Sequence, residues 1–346
     1  METTIKDKIW GSYAGVRIGD AMGMPFHELT PEEIYNRCSG WAQDFYDIFP
    51  DEFIHIGYKA GQVTDDTTLT AVTANAILKY KGNITPEQFV NELTEWVANN
   101  QDIWQQGNVY GPTTKTTFNN YMNEKFDSFL ESKRSWVYSG TSNGAIMRVS
   151  PAGWANPGNW QKAVELACNV ILPTHTTDVA LSAASGQAAA ISEALTEQAT
   201  YQSIIDHALQ GTKAGEESGI KLARITGQRY PYYNLEMALD LAEKAKDPME
   251  AGYLIRRLIG SHFHVSETLS TAFAIFYAAK GDFKSGVIAA VNNGGDTDTI
   301  ASIVGSLSGA LYGIQAIPEK WLEKVEEINQ LGCESMADKF CAVLRL

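Results

Sequence analysis

The chain has 346 residues, with 27 Lys and Arg against 41 Asp and Glu for a net charge of −14, and is 44% hydrophobic and 20% charged. That supplies enough apolar material for a large core and excludes wholesale disorder, while the negative charge and the lack of any Lys/Arg block argue against nucleic acid as a partner. Apolar stretches are broken long before bilayer length, so no membrane span is expected, and acidic residues at the start with no apolar segment behind them make the cytoplasm the expected compartment.

Helical signals dominate in chain order. Amphipathic runs cover residues 5–18 and 67–80. Thr85-Pro86-Glu87-Gln88 then sets a cap, a proline at the first helical position and a capping-box Gln ahead of Phe89, Leu93, Trp96 and Val97 on one face. Further runs cover 160–171, 179–195, 201–209, 235–245, 266–279, 283–291 and 299–312, and Gly82, Gly281 and Gly313 stand where helices should stop. Segments 38–62 and 124–141 are rich in aromatics and turn formers without a period and read as long loops. Gly11, Gly15 and Gly19, and again Gly305, Gly309 and Gly313, recur at helical spacing and predict helix backbones in close approach. With no strand–helix alternation, hinge or internal repeat, the expectation is one all-α domain over residues 1–346. Cys38, Cys168, Cys333 and Cys341 lack metal-ligand or disulfide spacing and read as incidental thiols.

Two places carry more charge than structure alone needs. Thr64-Asp65-Asp66-Thr67 and Asp296-Thr297-Asp298-Thr299 each open a predicted helix with two carboxylates and flanking hydroxyls. Capping and the helix dipole explain one Asp at each start; two at both starts also make an oxygen-only set of the kind hard divalent cations take. An EF-hand is excluded, because Ile300 and Ala301 stand where that loop needs an oxygen ligand and a glycine. Gly140-Thr141-Ser142-Asn143-Gly144 matches a nucleophile elbow only superficially, since no parallel sheet lies beneath it, and neither dinucleotide nor P-loop fingerprint occurs. The small residues of segment 140–148 would let backbone N–H groups reach a diphosphate, or simply turn the chain into a packed helix. His175, His262 and His264, taken singly, read as hydrogen-bonded structural histidines.

Read together, Gly19-Asp20-Ala21-Met22-Gly23-Met24-Pro25, Thr64-Asp65-Asp66-Thr67, Ser142 through Arg148, Thr174-His175 and Gly294-Gly295-Asp296-Thr297-Asp298-Thr299, followed by Gly305 through Gly313, resemble the ADP-ribosylglycohydrolase family in motif and order. The resemblance runs through nearly the whole chain. It implies a compact orthogonal helical bundle with a binuclear Mg²⁺ or Mn²⁺ centre in a cleft. By position it implies Thr64, Asp65, Asp66, Asp296, Asp298 and Thr299 as metal ligands, Ser142, Asn143 and Gly144 as the loop holding the ADP-ribose diphosphate, His175 as a cleft residue and Asp20 as the buried Asp behind the metals. The implied reaction cleaves the C1 bond between the distal ribose and an acceptor on a modified protein or small conjugate, releasing ADP-ribose. Alternatives are a non-catalytic ADP-ribose-binding or structural protein of the same fold, or a hydrolase of another small N-glycoside.

The chain departs from the family pattern in two places. Many members carry a Glu seven residues after the first-motif Asp, whereas here His27 fills that position and Glu28 is next to it. Because a carboxylate suits proton transfer at a ribosyl centre better than histidine, Glu28 is the expected catalytic residue; the bland alternative is that it caps the segment opening at Thr30-Pro31. Some members also place an Asp before a helix-opening glycine, where this chain reads Asn108-Val109-Tyr110-Gly111.

Overall fold

Side-chain caps define most helix starts. In the computed structural model, which describes residues 3–51, 54–102, 110–111, 113–115, 140–227, 229–330 and 332–345, a reciprocal Thr4–Asp7 capping box opens α1 (Ile5–Gly23) and a Thr30–Glu33 box opens α2 (Pro31–Arg37). Thr64 precedes α3 (Asp65–Lys79), and the expected Thr85–Gln88 box opens α4 (Pro86–Asn99). The chain continues through α5 (Ser150–Trp154), α6 (Trp160–Ile171), α7 (Asp178–Ala194), α8 (Tyr201–Leu222), α9 (Pro231–Lys244) and α10 (Pro248–Leu258). It closes with α11 (Val265–Ala278), α12 (Phe283–Val291), α13 (Thr297–Tyr312), α14 (Glu319–Asn329) and α15 (Cys333–Leu344). Among the described residues there is no sheet, only isolated bridges pairing Ser142 with His264 and Thr177 with Arg224. The fold is all-α. No helix among these residues is long and apolar enough to cross a membrane.

The centre is an antiparallel contact between α1 and α13 in which backbone meets backbone. A Cβ built on Gly11 would stand 2.5 Å from the Gly309 carbonyl oxygen, and one on Gly23 would stand 2.5 Å from Asp298 Cα; Gly15 lies on Gly305 and Gly19 on Ala301 in the same way. Glycine is required along this seam because any side chain would have to displace a main chain rather than a flexible group. Around it several interior polar atoms pair with one another: Trp154 Nε1 donates to Ser12 Oγ at 2.8 Å, and Ser306 Oγ lies 2.9 Å from Ser12 Oγ and 3.0 Å from Ser150 Oγ. Among the described residues, apolar side chains from Ile9 to Phe340 form one contiguous cluster, with a small satellite of Ala238, Ala242, Ala251, Ile255 and Ala274.

Every helix expected from periodicity is present, and one is longer than expected. Helix α8 runs on to Leu222 instead of stopping near 209. Gly211, Gly215 and Gly219 form a second close contact there: a Cβ on Gly211 or Gly215 would stand 2.6 Å from a main-chain oxygen of α7, and one on Gly219 2.6 Å from Asp178 Cα. Helices α5, α10, α14 and α15 carry too short or too polar a pattern to stand out by period alone. Segment 38–62 contains no regular element among its described residues. Segment 124–141, apart from Gly140 and Thr141, lies outside the described residues, as do Asn108 and Val109. All four cysteines are free thiols, Cys168 and Cys333 buried.

Candidate active site

The glycine seam brings the end of α1 beside the head of α13, and Asp20, buried in α1, fixes the head of α3 to both. Its carboxylate accepts from the Thr64 N–H at 2.9 and 3.0 Å, from the Thr67 N–H at 3.1 Å and from Thr67 Oγ1 at 2.5 Å. Thr64 Oγ1 accepts from the Asp66 N–H at 3.4 Å, so the head of α3 is capped by Thr64 and by a residue from another helix, not by its own aspartates. At α13 the capping position is Asp296, whose side chain makes no capping bond, and only Asp298 bonds locally, accepting from the Thr299 N–H at 3.0 Å. Capping thus leaves Asp65, Asp66 and Asp296 unexplained.

These carboxylates converge. Thr299 Oγ1 donates to Asp66 Oδ2 at 3.2 Å, joining the two helix starts, while the other Asp66 oxygen is buried with no hydrogen-bond partner. His27 Nδ1 stands 3.0 Å from Asp298 Oδ1 and 3.4 Å from Asp296 Oδ1, and His55 Nε2 lies 3.8 Å from Asp298 Oδ2. The Asn143 amide donates to both Asp296 Oδ2 and, at 3.1 Å, Thr268 Oγ1. One ligand atom each from His27, Asp296 and Asp298 falls within 4.8 Å of the others, a spacing that suits a metal ion.

The electrostatics reflect crowding of like charge. Burial first, and then the neighbouring carboxylates, push Asp65 and Asp66 well above the usual carboxylate range, and Asp298 is pushed up to about 7. For Asp296 burial acts the same way, but the hydrogen bond and charge of His27 outweigh it and hold the group far below its ordinary value. Burial would lower His27; Asp298 and Asp296 outweigh it and raise it well above 6.5. A protein that buries Asp66, Asp296 and Asp298 beside a half-buried Asp65, with one orphaned oxygen, has built a place for positive charge, because each buried anion is costly unless paired. The donor set of carboxylates and threonine hydroxyls fits a hard divalent cation.

The 140–148 segment forms the adjoining wall. Asn143 N–H donates to the Phe263 carbonyl at 2.8 Å and Val265 N–H to the Thr141 carbonyl at 2.9 Å, so it is Asn143's side chain that reaches the aspartates. Ser142 Oγ lies 2.9 Å from His175 Nε2, and a Cβ on Gly144 would stand 3.1 Å from the same ring. Burial holds the His175 imidazole neutral, down to about 3. Arg148, itself buried, donates through Nε to the Gly144 carbonyl at 2.9 Å and through its guanidinium to Thr174 Oγ1 at 2.5 Å.

The structure separates His27 from Glu28. His27 sits in the aspartate cluster, whereas the Glu28 carboxylate lies 3.2 Å from His262 Nδ1 and is partly exposed. Glu28 does not cap α2, since the Thr30–Glu33 box does so. Its backbone has φ of 60° and is pinned by its N–H donating to the Gly295 carbonyl at 2.8 Å. Sequence reasoning left His27 undecided and missed His55, Thr268 and His262 as neighbours. His55 lies in an aperiodic loop, where a lone histidine gives no signal.

The helix starts of an all-α scaffold thus gather carboxylates at one place. The chain belongs to the ADP-ribosylglycohydrolase family, whose pattern it matches over residues 1–345, and is a hydrolase acting on glycosyl bonds. An uncharacterized Escherichia coli (strain K12) protein, YegU, is 30% identical over 329 residues, covering 94% of this chain and 93% of that one. The ADP-ribosyl-[dinitrogen reductase] glycohydrolase of Rhodospirillum rubrum is 24% identical, with 93% and 92% covered, and human ADP-ribosylhydrolase ARH3 is 26% identical, with 63% of each chain covered. A solved structure described as an ADP-ribosylglycohydrolase-related protein complex shares the fold, with TM-score 0.61 at 23% identity over 99% of this chain and 98% of that one.

Proposed function

We propose that this chain is a divalent-cation-dependent hydrolase that cleaves the ribosyl C1 bond of an ADP-ribosylated protein side chain or small conjugate and releases ADP-ribose. The observation that carries the reading is the convergence of Asp65, Asp66, Asp296 and Asp298 from two helix starts, with the second Asp66 oxygen buried and unpartnered. These four, with Thr64 and Thr299, are the residues that would hold two cations, Mg²⁺ or Mn²⁺. Bound there, such ions supply Lewis-acid polarisation and lower the pKa of water toward neutrality. Asp20 acts behind them by fixing the head of α3, and Asn143 and His27 orient the Asp296 carboxylate. Ser142, Asn143 and Gly144 take the diphosphate side of the ligand, with neutral His175 holding the Ser142 hydroxyl at 2.9 Å. Two relatives whose names specify ADP-ribosyl substrates support this substrate class.

The test offers the protein arginine-modified, serine-modified and small ADP-ribosyl conjugates with and without Mg²⁺ and measures released ADP-ribose. Release from at least one, dependent on the cation, is expected. Saturable ADP-ribose binding with no release from any of them would replace the proposal with a binding function.

Within that reading Glu28 is the carboxylate we assign to proton transfer. Two features support it: Glu28 is free of helix capping, and its backbone is tied to Gly295, next to Asp296 in the chain. Glu28→Gln should keep cation and ADP-ribose affinity while lowering turnover ~10²-fold, the scale of lost acid–base assistance. If His27→Ala abolishes turnover with cation affinity intact and Glu28→Gln leaves it unchanged, the histidine has the role instead.

A further inference from the structure

His27 brings a nitrogen into a cluster whose other donors are mostly oxygens, and its place is fixed from both sides. Phe26, fully buried, packs against Tyr46 and Phe49 at 5.5 and 5.9 Å between ring centres. The two residues after His27 pair with the turn before Asp296: Glu28 N–H donates to the Gly295 carbonyl at 2.8 Å and Gly295 N–H to the Leu29 carbonyl at 2.9 Å. The His55 ring closes edge-on against the His27 ring, 5.5 Å between centres. Backbone bonds on one side and aromatic packing on the other therefore hold the imidazole at the head of α13, with 16% of its side chain exposed.

Held there, Nδ1 faces two carboxylates at once, Asp298 Oδ1 at 3.0 Å and Asp296 Oδ1 at 3.4 Å. A ring nitrogen carries one proton or one lone pair, so a hydrogen bond from Nδ1 serves one of these oxygens well and the second poorly. An ion bonded to Nδ1 serves both. Two donors each about 2.1 Å from one transition ion stand about 3.0 Å apart at a right angle and about 3.4 Å apart at the tetrahedral one. Among the described residues, no other three His, Cys, Asp or Glu side chains bring ligand atoms within 4.8 Å of one another. The cluster also has an anionic oxygen to spare, since Asp66 is 2% exposed and its Oδ1 is buried without a hydrogen-bond partner. An imidazole changes which ion such a site takes: carboxylates, carbonyls and water suit Mg²⁺, whereas a histidine nitrogen adds affinity for first-row transition ions.

The geometry points to His27 as a metal ligand through Nδ1, together with Asp296 and Asp298, and to a first-row transition ion rather than Mg²⁺ at that position. The inference rests on the reading of the cleft as a cation site and deepens it by naming the class of ion and a nitrogen ligand. In the metal-free protein the same Nδ1 contacts orient the Asp296 carboxylate.

The experiment loads the full chain, stripped of metal, with Mn²⁺ and reads ¹⁴N hyperfine coupling to the bound ion by pulsed EPR. Coupling to a directly bound histidine nitrogen is expected in the wild type and absent in His27→Gln. By calorimetry, His27→Gln should weaken Co²⁺ uptake ~10-fold or more while changing Mg²⁺ uptake less than ~3-fold, because only the transition ion gains from the nitrogen. His27→Glu, which puts an oxygen donor at the same position, should likewise lower the preference for Co²⁺ over Mg²⁺. The wild-type spectrum needs no variant to fold. Mn²⁺ bound without nitrogen coupling, a coupling that survives His27→Gln and vanishes in His55→Gln, or equal losses of Co²⁺ and Mg²⁺ in His27→Gln would overturn the inference and leave the cation site standing. Wild-type protein that takes up no ion would remove the cation site itself, so the two failures are told apart, and neither depends on release of ADP-ribose.

Discussion

Asp298→Ala is expected to weaken Mg²⁺ or Mn²⁺ uptake by at least ~10²-fold and to reduce ADP-ribose release with it, the largest single-residue effect on function that the site implies. Asp298 is the carboxylate through which the cluster is connected: His27 lies at 3.0 Å, His55 at 3.8 Å, and the Thr299 N–H donates to it. Its removal takes away a ligand oxygen and leaves His27 paired only with Asp296. Calorimetric titration of metal-stripped protein measures the change, and a wild-type protein that takes up neither ion would refute the site.

The same cluster sets a pH dependence whose sign follows from its shifts. Asp65, Asp66 and Asp298 have folded pKa values above their unfolded ones, Asp298 at about 7. Their contribution to the stability of the metal-free protein is therefore complete below about pH 4 and is lost as pH rises through the folded values. His27, also raised, loses its contribution in the same direction, whereas Asp296, depressed by His27, stays ionised across that window. Buried neutral His55, His175 and His264 act in the opposite direction below about pH 6.5, so metal-stripped protein should lose thermal stability from about pH 6.5 to pH 8, and Mg²⁺ should raise Tm more at pH 8 than at pH 6, because binding requires the ionised carboxylates. A Tm independent of pH in the stripped protein, with the same Mg²⁺ increment at both pH values, would show that these carboxylates do not share one site.

Gly15→Ala should be the most destabilising small substitution in the chain, costing about 3 kcal/mol or more in denaturant unfolding. The added Cβ would fall on the Gly305 carbonyl, with Ser306 N at 3.0 Å behind it, so no side chain can move aside and the α1–α13 seam must open. Opening it shifts Asp20 away from the head of α3 and Gly23 away from Thr297 and Asp298, so surviving folded protein should also bind cations more weakly. Gly111→Ala is the control, since no described residue lies within 4 Å of a Cβ there. A Gly15→Ala protein within ~0.5 kcal/mol of the wild type would mean that the seam is not under this constraint.

How much of this was legible before folding differs residue by residue. Thr85-Pro86-Glu87-Gln88 announced its helix because a capping box is made within one turn, and the structure contains that box. The glycine triplets announced close helix contacts, but the sequence could not say that Gly15 meets Gly305, and the same spacing at 211, 215 and 219 meets Ser185, Leu181 and Asp178, a contact the sequence reading does not contain. The two Asp-rich helix starts were visible as an excess of charge. Whether they capped or converged was not, because the head of α3 is capped by Thr64 and by Asp20, 44 positions before Thr64, rather than by its own aspartates.

By itself, then, the sequence determined the helical class, the position of most helix starts and the residues able to carry the chemistry, because caps, periodicity and charge excess are interactions within a few residues of one another. Only the tertiary structure decided that His27 rather than Glu28 joins the aspartates, that His55 reaches them from an aperiodic loop, and that one Asp66 oxygen is left without a partner. Those outcomes depend on which backbones meet. The α1–α13 contact joins residues nearly three hundred positions apart, as in the Ser12–Ser306 pair separated by 294, through a glycine seam whose partner no local pattern encodes.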